Sequence, residues 1–102
     1  MKLIEWLSEQ IDDEIHGAKC YVKKALEIRE EHSEIADGLW MMSNEEMKHM
    51  QSLHSMVTKL IQDYRAKNGE PPEGMQAVYD YLHEKSIEKA KDVKVMQDMY
   101  RS

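Results

Sequence analysis

Cysteine is nearly absent from this 102-residue chain. The single Cys20 cannot close an intrachain disulfide and leaves no Cys-x-x-Cys pair for a zinc or iron site. It reads as a small helix residue rather than a reactive thiol. Long apolar runs are also missing. The longest, Leu39 to Met42, is far too short to cross a membrane, and the mean hydropathy of -0.75 agrees. No turn dipeptide joins two alternating segments, so strands are not expected. The only turn-rich stretch is Asn68-Gly69-Glu70-Pro71-Pro72-Glu73-Gly74. The opening residues lack the apolar core and cleavage site of a signal peptide, so the expectation is a cytoplasmic protein without a membrane partner. Basic residues are outnumbered 14 to 20, giving a net charge of -6. That balance argues against nucleic acid as a partner and suits the attraction of cations.

The chain does contain helical periodicity, with 41% hydrophobic residues in a length that suits one domain spanning residues 1–102. Apolar spacing predicts three helices, at about residues 3–29, 34–67 and 73–100. Ser33 is the expected N-cap of the second, and Asn68-Gly69 followed by the proline pair is its expected stop. The third stripe, through Met75, Val78, Tyr79, Leu82, Ile87, Ala90, Val93 and Met96, is looser and interrupted at Ser86 and Lys89. The short link between the first two helices makes them antiparallel neighbours. The expected fold is therefore all-α: an antiparallel helical hairpin plus a third helix.

Two glutamates stand where the stripes call for apolar residues. The first seam reads Ile4, Leu7, Ile11, Glu14, Ala18, Tyr21, Ala25, Ile28. The second reads Leu39, Met42, Glu46, Met50, Leu53, Val57, Leu60, Tyr64. A carboxylate in such a position must be paired, protonated or bound to a metal. Glu14 and Glu46 are nearly equidistant from the turn near residue 31, so an antiparallel hairpin brings them to one height. His49 follows Glu46 by three residues and shares its helix face. Glu14, Glu46 and His49 are accordingly the candidate metal ligands. Oxygen and imidazole donors without thiolate favour iron, with manganese or zinc as alternatives. A di-metal helical bundle needs a Glu from each of two helices and a Glu-x-x-His from each of two others. This chain supplies half, and a second copy related by a two-fold axis would supply the rest.

Glu14 and Tyr21, with Ala18 and Ala25 along the same face, together with Met42-Ser43-Asn44-Glu45-Glu46-Met47-Lys48-His49, resemble the ferritin-like superfamily in its rubrerythrin branch. The resemblance covers about residues 1–66. It implies that Glu14, Glu46 and His49 bind metal and that Tyr21 hydrogen-bonds to those ligands. With one half-motif instead of two, the chain is most similar to half-length, encapsulated ferritin-like proteins. These pair into a four-helix bundle with a di-iron ferroxidase site between subunits. The implied partners are a second copy or a higher homo-oligomer, two iron ions per interface, and dioxygen or hydrogen peroxide. Rubredoxin-like cysteines and a recognisable encapsulin-targeting tail are both missing. The competing expectation is a non-catalytic helical interaction module of the same fold.

The other histidines read as peripheral. His16, two residues after Glu14, points away from it; His54 lies beyond the site; His32 belongs to the turn. His83 with Glu84 and Asp80 is the one alternative cluster that could bring the third helix to a metal, although a solvated face is the simpler reading. Glu45 is turned about 100° from Glu46, onto the surface. The nine Met residues read as adaptable packing, with Met42, Met50, Met56, Met75 and Met96 near the stripes. Trp6, Trp40 and Tyr64 read as core or interface anchors, with Trp40 and Met41 placed to help a dimer contact.

Overall fold

A computed structural model describes residues 2–102, and every element in it is helical. Helix α1 runs Lys2–Ile28 and α2 runs Ser33–Asn68. A third rod consists of α3 (Glu73–Tyr81), one π-helical turn (Leu82–Ser86) and α4 (Ile87–Arg101). Among the described residues no helix is long and apolar enough to cross a membrane.

The first rod is helical because Ile4, Leu7, Ile11, Ile15, Ala18, Val22 and Ala25 repeat every three or four residues, and all are buried. The stripe therefore centres on Ile15 and Val22, and Glu14 and Tyr21 flank it half-buried. In α2 the buried set is Ala36, Ser43, Met50, Val57 and Ile61. Ser43, not Met42, takes the inner position, and Met42 and Met56 are exposed. Ser43 can occupy the core because it has hydrogen-bond partners there, which leaves the bulkier Met42 outside.

The helix ends follow from local chemistry. His32, with φ -135°, precedes α2 and makes no side-chain cap bond. Ser33 is already inside the helix, so the expected serine cap does not form. Gly69 ends α2 at φ 83°, a left-handed conformation that favours glycine, and its N–H donates to the Arg65 carbonyl at 3.1 Å. Arg65 and Lys67 place positive charge in the last turn of α2, opposite the helix dipole.

The third rod runs alongside α1 and α2, completing an up-down-up bundle 56 × 18 × 18 Å. Its register is set by polar contacts. Tyr81 donates to Asp12 Oδ2 at 3.0 Å and Ser86 donates to Asp12 Oδ1 at 3.2 Å. The extra residue of the π turn rotates the downstream helix relative to α3. Ser86 is consequently buried against α1 instead of interrupting the apolar face. Trp40 is also committed within the chain: its N–H donates to the Gln97 carbonyl at 3.1 Å, and its ring stacks on Tyr100. It thus anchors α4 while remaining half-buried, whereas Trp6 is exposed.

Candidate metal centre

The hairpin brings the three ligand candidates together. His49 Nδ1 lies 3.7 Å from Glu14 Oε2 and 3.9 Å from Glu46 Oε1. One ligand atom from each residue fits within 4.8 Å of the others. Bonds of about 2.0–2.2 Å from one ion would separate its donors by roughly 3–4.2 Å, and both distances to His49 Nδ1 fall in that range. The side chains of Glu14 and Glu46 are 24% and 28% exposed, while that of His49 is 61% exposed. The acids are thus sheltered and the imidazole faces outward.

The electrostatics are those of a site missing positive charge. Glu14 Oε2 is buried and meets no hydrogen-bond donor while both acids are ionised. Buried polar atoms are normally satisfied, and a buried carboxylate oxygen is among the costliest to leave alone. A hydrogen bond to Glu14 raises the Glu46 carboxyl above its ordinary value of 4.5, with burial and the Glu14 charge acting in the same direction and His49 opposing them. Two acids this close resist ionising together. Either one proton is shared between them, or a cation replaces it.

Gly17 lies beside the Glu46 carboxylate. A Cβ at this position would lie 3.3 Å from Glu46 Oε2. Glycine in a helix interior is normally a loss, and here it leaves space for the Glu46 carboxylate. Gly17→Ala should raise the stability of the metal-free protein by about 1 kcal/mol through helix propensity. It should also weaken metal binding on the order of tenfold by displacing that carboxylate. Thermal melting and a metal titration measure the two opposite effects.

The remaining candidates lie elsewhere. Tyr21 is half-buried, and its hydroxyl does not satisfy Glu14 Oε2. Glu45 is exposed. His16 is exposed with Nε2 3.6 Å from Cys20 Sγ. His83 and Glu84 are exposed on the π turn, and among the described residues neither belongs to a three-residue ligand cluster. The His83 ring instead packs edge-on against Tyr79 at 4.4 Å and His54 at 5.7 Å between centroids. Burial, reinforced by the His83 charge, holds the His54 imidazole below its usual 6.5. The folded state therefore prefers neutral His54, and its contribution to stability is complete above pH 6.5 and is lost as the pH falls from there toward the lowered folded value. Melting temperature should fall on this acid side, and His83→Gln should flatten the fall.

A groove of about 800 Å³ between α2 and α4 is lined by Trp40, Met47 and Lys94 among others, and none of the three ligand candidates borders it. Sequence reasoning had passed over Gly17 and the Asp12 contacts. A glycine inside a strong helical pattern, three residues after a seam acid, was the available signal for the first. No family model matches this chain, and neither a curated protein nor a solved structure matches it.

Proposed function

We propose that this chain is one half of a ferritin-like di-metal carboxylate protein, in which Glu14, Glu46 and His49 from two copies hold a pair of iron ions. The observation that carries the proposal is the Glu14, Glu46 and His49 cluster, in which a buried Glu14 oxygen has no donor unless Glu46 keeps a proton. Four carboxylates and two imidazoles would complete the set that such bundles use. Bound iron would supply one electron per ion to dioxygen or hydrogen peroxide, with ferroxidase chemistry as the first reading and peroxide reduction as the second. Glu14 and Glu46 would neutralise the cations and exclude bulk water, and His49 would offer a neutral nitrogen at the open side.

The outer face of α2 supports the pairing. Ile35, Leu39, Met42, Glu46, His49, Leu53, Met56 and Leu60 alternate spacings of four and three, forming a second stripe beside the buried one. Ile35, Met42 and Met56 are exposed, and Leu39, Leu53 and Leu60 are only half-buried. An apolar stripe of this length in water indicates a contact surface. Its midpoint falls between Glu46 and His49. A two-fold axis through that midpoint sets Ile35 against Leu60, Leu39 against Met56 and Met42 against Leu53 of the second copy. The metal ligands and the apolar contacts thus share one symmetry element.

Elemental analysis combined with mass in solution tests the proposal. The expected result is a dimer or a multiple of it that holds iron and loses it on Glu46→Ala. A monomer that takes up no iron, manganese or zinc under anaerobic loading would favour the interaction-module alternative.

A further inference from the structure

The third rod contributes no ligand, but it reaches the ligand-bearing hairpin through one buried polar chain. The Ser43 hydroxyl donates to the Ala18 carbonyl at 2.6 Å, and the Gln97 amide donates to Ser43 Oγ at 2.9 Å. Both side chains are buried. We propose that Ser43 and Gln97 are positioning residues for the candidate metal centre, through which α4 fixes the spacing between Glu14 and Glu46. This rests on the metal-binding reading above.

The placement supports the assignment. Ala18 is one turn beyond Glu14, and Ser43 is one turn before Glu46. In an antiparallel hairpin both lie on the same side of the site, so the bond between them ties α1 to α2 one turn from the ligands. An apolar seam tolerates sliding, because its attraction has no direction. A hydrogen bond weakens within a few tenths of an ångström. The ligand atoms have similarly little slack: a slip of one residue is about 1.5 Å along the helix axis. The Trp40 N–H donates to the main-chain carbonyl of Gln97, which pins this turn of α4 to α2 while the Gln97 side-chain amide meets Ser43. Buried polar groups there contribute register and orientation, which a well-packed apolar pair would not.

Cobalt(II) is the probe, because its visible absorption reports ligand geometry and a titration gives its affinity. In Gln97→Met, and in Ser43→Ala combined with Gln97→Met, the affinity should fall about tenfold. The absorption of bound cobalt should also change. The metal-free melting temperature should stay within about 5 °C of wild type, since removing both polar partners leaves no unsatisfied group. Gln97→Met is nearly volume-conserving and keeps the test valid if the double variant fails to fold. Tyr100→Phe removes a different contact of the third rod, to Asp37, and should leave cobalt binding unchanged. Wild-type affinity and spectrum in Gln97→Met would overturn the proposal. So would an equal loss in Tyr100→Phe, which would mean general loosening of the rod. A wild-type protein that binds no cobalt would overturn the metal reading itself, and the positioning role with it.

Discussion

Glu14→Leu should make the metal-free protein more stable and blind to metal. The substitution removes a buried carboxylate oxygen that has no donor once Glu46 is ionised. Leaving such a group buried costs about 1–3 kcal/mol, and the low end applies because the side chain is partly exposed. A gain of about 1 kcal/mol corresponds to roughly 4–8 °C for a domain of this size. Wild type should respond oppositely to metal. At a concentration one hundred times the dissociation constant, bound metal adds about 2.7 kcal/mol, and a chelator removes it. Melting curves with and without iron or manganese should therefore cross: the variant above wild type without metal, wild type above the variant with it. The pH dependence should also change. Glu46 holds its proton more tightly in the folded chain than in the unfolded one, because of Glu14. Its stabilising contribution is present below pH 4.5 and is lost as the pH rises through the raised folded value. Glu14→Leu removes the cause, so this alkaline-side loss should shrink.

Under the proposed pairing, charge placed on the outer stripe of α2 should separate the two copies. With a two-fold axis between Glu46 and His49, Met42 of one copy meets Leu53 of the other. Met42→Glu combined with Leu53→Glu then sets like charges face to face twice. Like-charge juxtaposition across an interface costs several kcal/mol. A penalty of about 4 kcal/mol weakens association by about 10³, enough to leave monomers at micromolar concentration in sedimentation or light scattering. Met42→Lys combined with Leu53→Glu places opposite charges at the same two contacts and should recover much of the association. Equal behaviour of the two double variants would reject this pairing register, and dimers in both would move the contact to another face.

The rods were readable in the sequence where local chemistry is strong. Gly69 and the prolines after it stop α2 where expected, and the spacing from Ile4 to Ala25 describes α1. The convergence of Glu14, Glu46 and His49 was readable because an acid inside an apolar repeat is conspicuous, and because Glu14 and Glu46 lie at matching distances from one turn. The assignments that shifted did so for physical reasons. A spacing of three and four residues does not determine which of two adjacent positions faces inward, so Met42 and Ser43 exchanged roles once Ser43 found the Ala18 carbonyl. Ser86 looked like a flaw in an apolar stripe because periodicity assumes an unbroken α-helix, and the π turn violates that assumption.

That widened turn has a consequence for the whole second half of the rod. One additional residue between Tyr81 and Ile87 advances the phase of everything after it by about 100°. Excising a single residue there would restore uniform winding and misalign the downstream half. Gln97 would swing off Ser43, and Tyr100 off Asp37, with neither residue altered. The local irregularity is therefore the phase setting that lets one straight rod address two differently oriented faces of the hairpin.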